Sequence, residues 1–370
     1  MANYYAPQSG GIRTVLDNLA RGYVASGVQR LLIVPGPVDA RFETEVGDVV
    51  QIRAPKVSDA YRLIVEPWRM LAILAAYAPT SIEVSDKFTM VPVSWWARSK
   101  GIGTALFSHE RMDEYMLNVS GKEKTTALTV AVLNRMLVRS FDAVIVTSRF
   151  AEREFRRHAA NVDCPTVRIP LGVDLHRFNP RWREASADIP SGTLKLALVG
   201  RLSREKAPHL AVETAMELHR RGIDIQLDVY GDGPHRDELE IIAEGGPVTF
   251  HGYVSDRESL SRAIASADVA LSVCPSETFG LAVLESLASG TPVVTADRGG
   301  ARELVDETSG AWAPPNPQAL ADAVLRIVAR PAGQRRLDAR SRAEQFPWSQ
   351  TVQSLLDVHG ALSAGELLGA

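Results

Sequence analysis

Cysteine is almost absent from this chain. Its two cysteines among 370 residues, Cys164 and Cys274, stand in no CxxC or Cys/His spacing, which argues against a disulfide framework or a zinc site. Long apolar runs are missing as well: the longest, MLAILAAYAP at 70–79, is too short to span a bilayer. The start, MANYYAPQSGG, has neither the charged region nor the apolar stretch of a signal peptide. No GxGxxG with an acidic residue about 20 positions on is present, which argues against a dinucleotide-dependent dehydrogenase. A reducing, cytoplasmic setting follows as an expectation, and the sequon Asn118-Val-Ser120 is expected to be inert.

What is present suits a soluble globular chain. Hydrophobic residues make up 45% and charged residues 23%, the usual balance for such proteins. The length exceeds what one hydrophobic core normally supports, so two domains are expected. The formal net charge is only −3, but residues 1–180 carry a net positive charge and the remainder a net negative one. A basic first half suits an anionic acceptor or membrane surface. Ordinary scatter of solvated charges accounts for it equally well.

Short β-branched runs alternate with helical patterns. RLLIVPG (30–36), IEVSD (82–86), GTALFSHE (103–110) and DAVIVTSRF (142–150) read as buried parallel strands whose carboxyl ends open onto a site. A polar, proline-bounded stretch at 178–193 separates them from a second series: LKLALVG (194–200), IQLDVYG (225–231), VTFHGYV (248–254), VALSVCPS (269–276) and TPVVTAD (291–297). Helical intervals lie at 208–222 and 257–267. The expected fold class is therefore α/β, with two Rossmann-like domains, at 1–178 and 193–345, facing each other across a cleft. The segment 346–370 is expected to be a C-terminal helix that packs back on the first domain. Only MANYY precedes the first glycine-rich turn, so either the first strand is abbreviated or the chain begins late.

Three places invite an anion. QSGGIRT (8–14) puts Gly10 and Gly11 before an amphipathic helix, where backbone N–H groups can approach a phosphate; a plain turn-to-helix junction reads the same. In GRLSREKAP (200–208), Arg201 and Lys206 lie between a strand and a helix, at the edge where ligands of α/β sheets collect. Two such cations suit a diphosphate, although a solvated loop also explains them. In CPSETFGLAVLE (274–285), the N–H groups of Phe279, Gly280 and Leu281 begin a helix and can receive a phosphate. Glu277 and Glu285 flank that turn. A carboxylate there suits paired hydroxyls of a sugar or ribose, while helix capping by Glu277 and surface exposure of Glu285 form the competing reading.

With GG near the start, GRL…EK, YGDGP, ETFGLAVLE and SGTPVV in this order, the chain resembles the retaining glycosyltransferases of family four, with the GT-B fold. That resemblance implies that Glu277 binds hydroxyls of the transferred sugar and Glu285 the nucleotide ribose. It assigns the donor diphosphate to Arg201, Lys206 and residues 279–281, and places His109 beside the donor sugar. NYYAPQSGGIRT, VSDKFT, SHERMDEY and PLGVDLHRF further resemble the phosphatidylinositol mannoside mannosyltransferases, which implies GDP-mannose as donor and a glycolipid or glycan acceptor. Gly231 and Asp232 of YGDGP, with Tyr253, Val254 and Asp256 of GYVSD, are expected to form the nucleotide wall. Asp256 is the candidate reader of guanine, whose two adjacent donors a carboxylate can accept; capping of the following helix is its alternative role.

No DxD is present, so no metal bridging the diphosphate is expected. Arg201, Lys206 and a helix N-terminus would neutralise the leaving group instead. No cofactor is expected beyond the nucleotide-sugar co-substrate, no nucleic acid partner, and at most peripheral contact with the inner face of the cell membrane. The resemblance implies retention, and no carboxylate nucleophile is evident, so front-face attack is expected, with Glu277 and His109 positioning the sugar. The rivals are a UDP-sugar-dependent transferase of the same family, a sugar-nucleotide epimerase of the same fold, and a non-catalytic sensor.

Overall fold

A computed structural model describes residues 1–3, 5, 10–57, 61–114, 123–160, 162–183 and 192–366, without the side chains of 123–126. Residues 8–9 of the first glycine-rich turn, the sequon and residues 184–191 of the polar stretch lie outside it. The chain forms two compact units, Met1–Pro170 with Trp348–Ala370, and Leu171–Pro347.

The first unit contains strands β1 (Leu31–Gly36), β2 (Ala40–Thr44), β3 (Gly47–Arg53), β4 (Ser81–Val84), β5 (Gly103–Ser108), β6 (Ala143–Val146) and β7 (Thr166–Arg168). Its helices are α1 (Gly10–Ala25), α2 (Pro67–Tyr77), α3 (Val91–Ser99), α4 (Glu123–Ser140) and α5 (Arg149–Ala159). The strands pair in the orders β1-β3-β2 and β4-β5-β6-β7. Residues 1 and 2 lie between these two sets: Ala2 N–H donates to Ile33 O at 3.1 Å, and Ser85 N–H donates to Met1 O at 2.9 Å. Residues 1 and 2, outside any regular strand, thus hydrogen-bond to β1 on one side and to the residue after β4 on the other.

The second unit is a single parallel sheet. It contains β8 (Leu194–Val199), β9 (Ile225–Tyr230), β10 (Val248–Gly252), β11 (Val269–Ser272), β12 (Val293–Ala296) and β13 (Gly310–Ala313). Helices α6 (Pro208–Arg220), α7 (Arg236–Ile242), α8 (Arg257–Ser266), α9 (Leu281–Ala288), α10 (Pro317–Val328) and α11 (Ala332–Ala343) connect and follow them. The order β10-β9-β8-β11-β12-β13 reverses direction between β8 and β11. The carboxyl ends of these two strands form the crevice where such sheets bind ligands.

The strand runs read from sequence are all found, most trimmed at their carboxyl ends where the chain turns into loop. Four further strands went unread: β2, β3, β7 and β13. β2 is largely exposed and pairs antiparallel with β3 as a hairpin, so it has no apolar run to signal it. β7 is only three residues long, and β13 (GAWA) contains no β-branched residue; both are specified by the neighbours they pair with.

The last helix, α12 (Trp348–Ala364), packs against α1 within the first unit. A mostly buried polar cluster fixes it. Ser81 Oγ lies 2.9 Å from His359 Nδ1, His359 Nε2 lies 3.3 Å from Glu83 Oε2, and Tyr23 OH donates to the same oxygen at 3.4 Å. Burial opposes ionisation of Glu83, but the His359 hydrogen bond and charge outweigh it and hold its pKa below the ordinary value. Among the described residues, no helix is long and apolar enough to cross a membrane.

Because its folded-state pKa is lowered, Glu83 contributes stability above its unfolded-state pKa and loses it as pH falls through the folded one. Glu83→Ala leaves Tyr23 of α1 and His359 of α12 without their acceptor and is expected to cost roughly 1–3 kcal/mol. The measurement is thermal unfolding at neutral pH and at pH 3, where the gap between variant and wild type should narrow.

Candidate active site

β8 and β11 deliver two loops to the same place. After β8 the chain turns through a short 3-10 segment, Arg204–Lys206, and Ala207 takes a left-handed backbone conformation before Pro208 opens α6. After β11 it runs through residues 273–280 into α9. Glu205 O sews the loops together, accepting from Cys274 Sγ at 3.1 Å and Ser276 Oγ at 3.4 Å. This seam aligns Lys206 with Glu277: Lys206 Nζ lies 3.1 Å from Oε1 and 2.9 Å from Oε2. Lys206 is 43% exposed and Glu277 17%. The first glutamate of the pair is thus ion-paired rather than a helix cap, since Gly280 occupies the cap position of α9.

Gly280 has φ +102°, a region that favours glycine. A side chain there would also crowd Ala301 and Val283 at 3.2 Å. Glycine therefore sets the sharp entry to α9, whose first N–H groups have no partner within the helix. One and a half turns on, Glu285 is buried, with Arg257 Nη1 3.6 Å away. Burial pushes its carboxyl up to about 7, and the charges of Arg257 and Arg177 only partly offset this.

The neighbouring wall comes from the ends of β9 and β10. Gly231 N–H donates to Gly252 O at 2.8 Å, and any Cβ at Gly231 would fall 1.8 Å from Gly200 O. Leu202 N–H reaches Asp232 O at 3.0 Å, so the Arg201 loop leans on the Asp232 loop. Tyr253 is 67% exposed beyond β10, and Val254 is partly buried. Asp256 caps α8, accepting from Glu258 N–H at 3.2 Å and Ser259 N–H at 3.0 Å. Of the two roles weighed for it, the side chain performs the cap, and reading of guanine is not assigned to it.

In the first unit, His109 follows β5. Its ring stacks on Phe107 with centroids 4.3 Å apart, and Nε2 lies 3.0 Å from Ser85 Oγ at the end of β4. Burial lowers its pKa to about 4 against the attraction of Glu83, with Lys87 adding to the drop, so the imidazole is neutral at pH 7. Beside it, Lys87 is buried against Glu154, 3.0 Å from Oε2. Gly10 and Gly11 begin α1. Among the described residues, no group of three or more His, Cys, Asp or Glu could hold a metal ion.

Comparison with known proteins places these loops in a family. Residues 193–330 match the glycosyl transferases group 1, and residues 10–172 match the glycosyl transferase 4-like domain. The chain belongs to this family of glycosyltransferases. Over its whole length it is 39% identical to a GDP-mannose-dependent alpha-(1-6)-phosphatidylinositol dimannoside mannosyltransferase of Mycobacterium tuberculosis, covering 97% of that protein. It is 30% identical, over 72% of its length and 67% of the relative's, to a D-inositol 3-phosphate glycosyltransferase of Saccharomonospora viridis. Among solved structures, a sucrose-phosphate synthase from Thermosynechococcus elongatus superposes with a TM-score of 0.79, 24% identity, 97% coverage of this chain and 95% of the other. The enzyme is thus a glycosyltransferase with the GT-B fold, built from two Rossmann-like domains.

Sequence reading missed three features of this glycosyltransferase site. Arg257 faces Glu285 across 28 positions of sequence, a pairing no local pattern reveals. The seam at Glu205 is formed by a backbone carbonyl and so leaves no trace in residue type. Gly300 N–H donates to Glu277 O at 2.6 Å, and Gly299 passes so close that a Cβ would meet Pro275 O at 3.0 Å. The dipeptide Gly299-Gly300 was the available signal.

Glu285 should leave a signature in stability. Its folded-state pKa of about 7 stands above its ordinary 4.5, so the folded state loses stability as pH rises between these values. Glu285→Gln is expected to be more stable than wild type at pH 8 by roughly 1–3 kcal/mol. The gap should close near pH 4. Urea unfolding at the two pH values is the measurement.

Proposed function

We propose that the enzyme transfers mannose from GDP-mannose to a hydroxyl of a lipid-linked or glycan acceptor of the phosphatidylinositol mannoside kind, with retention and without a metal ion. The observation that carries this reading is the full-length 39% identity to a GDP-mannose-dependent mannosyltransferase. The Lys206–Glu277 pair at the reversal point of the sheet supplies chemistry to match.

In this reading Arg201, Lys206 and the N–H groups of Phe279, Gly280 and Leu281 take the diphosphate. Their charge and dipoles stabilise the leaving GDP as the glycosidic bond breaks. Glu277 exchanges Lys206 for hydroxyls of the mannose, and Glu285 accepts the ribose hydroxyls. Gly231, Asp232, Tyr253 and Val254 line the base, and the backbone N–H groups at Gly10 and Gly11 are assigned to the donor as well. A neutral His109 suits a hydrogen bond to the sugar better than proton transfer. The acceptor attacks on the face the phosphate leaves, and the departing phosphate oxygen takes its proton. The nucleotide sugar is a co-substrate, and no other cofactor is required.

Because Asp256 is engaged in its cap, the preference for guanine rests on the relatives alone, and a UDP-sugar donor is the second reading. Incubation with labelled GDP-mannose or UDP-glucose, each with and without a mycobacterial lipid extract, separates them. Label should enter the lipid phase from GDP-mannose only, and EDTA should leave the rate unchanged. Label from UDP-glucose alone would overturn the mannosyl assignment, and donor turnover without acceptor would point to an epimerase.

Lys206→Met is expected to lower kcat by roughly 10²–10³-fold. Arg204→Met, on the same turn but 79% exposed and facing His235 and Glu238, should stay within about three-fold of wild type, as befits an exposed pair. Equal losses in both would show that the turn's fold, not the Lys206 charge, is what matters.

A further inference from the structure

Helix α4 is apolar on two faces. Leu133, Leu137 and Val138 point into the core of the first unit, where α4 packs on α3 and α5. That face accounts for the fold. The opposite face carries Leu128, Val132 and Met136 at intervals of four, exposed by 69%, 61% and 38%. Trp95 of α3 lies alongside, 55% exposed, with its indole N–H donating to Ser140 Oγ at 3.2 Å. These outer side chains add nothing to the core, and an exposed apolar stripe of this kind marks an interaction surface.

Cations share the stripe. Arg135 and Arg139 fall on the same face by helical spacing and are exposed. Arg98 lies beside them, its guanidinium donating to Arg139 O at 3.1 Å and paired with Asp142 at 3.7 Å. Leucine, valine, methionine and an exposed tryptophan flanked by arginines form the pattern of a helix lying in a membrane interface, apolar side down and cations at the headgroups. A second copy of this chain fits poorly, because a two-fold contact would press arginines against arginines.

We infer that the outer face of α4, with Trp95, docks the enzyme on an anionic lipid bilayer. The inference extends the proposed lipid acceptor, but it uses no residue of the donor site and stands or falls separately. Each arginine near an anionic surface strengthens partitioning several-fold, while the apolar stripe anchors the helix against salt.

The test is co-sedimentation of the full chain, without donor, with vesicles of phosphatidylcholine alone or mixed with phosphatidylinositol. Wild type should sediment with the mixed vesicles, less so as salt is raised. Arg135→Glu with Arg139→Glu should weaken partitioning by roughly ten-fold or more, and Val132→Asp with Met136→Asp should abolish it. Circular dichroism checks that both variants are folded, and Val132→Leu should bind as wild type does. Wild type that ignores anionic vesicles, or folded charge variants that bind undiminished, would overturn the inference. So would variants that change only the oligomeric state in size-exclusion chromatography. GDP binding measured in solution on the same proteins reports on the donor site alone, so failure there leaves the docking result intact.

Discussion

The ion pair between Lys206 and Glu277 is the constraint around which the second unit is arranged. Two loops from non-consecutive strands must arrive in register to within a few tenths of an ångström for a carboxylate to accept from one ammonium through both oxygens. The seam at Glu205 O, the glycine entry to α9 and the Gly300 contact all serve that register. In the proposed reaction the pair is also a store of matched charge. With no donor bound, each ion neutralises the other; a diphosphate then offers Lys206 more negative charge than one carboxylate does, and the sugar hydroxyls offer Glu277 replacement donors. A partly exposed pair is worth little in net stability, so this exchange carries a small penalty.

Glu285 shows a different use of a carboxylate. It lies within a largely apolar helix, nearly sealed from water, with Arg257 at 3.6 Å as the near cation. Desolvation dominates, and the acid is poised near neutrality. Such a group favours partners that donate hydrogen bonds while bringing little charge, as vicinal hydroxyls do. A surface glutamate at the same spacing would have lacked that preference. Burial therefore separates the roles of two residues that sequence shows only as identical letters eight positions apart.

The parallel strands were legible because each is a short apolar run ending in a turn residue, and burial on both faces demands that pattern. The crevice followed from chain order once β8 and β11 could be recognised. What remained illegible depended on partners distant in sequence: β7 and β13 exist through their neighbours, the Glu83–His359 cluster spans almost the whole chain, and Arg257 meets Glu285 from the start of another helix. Asp256 was ambiguous for a physical reason, since an aspartate before a helix and an aspartate beside a base look alike until the direction of its oxygens is known. His109 was equally mute in sequence. Its neutral state comes from burial and from Lys87, which is itself held by Glu154.

The same contrast separates the two faces of α4. From sequence, TALTVAVLNRMLVRS reads simply as an apolar helix with two arginines, and nothing in its composition says which side is which. Only the packing of Leu133, Leu137 and Val138 reveals that the core is already satisfied and that Leu128, Val132 and Met136 are surplus to it. Folding gains nothing from apolar side chains in water. A helix that keeps them there, interleaved with arginines, is adapted to a second solvent, and a bilayer is the solvent that suits both the apolar stripe and the charge.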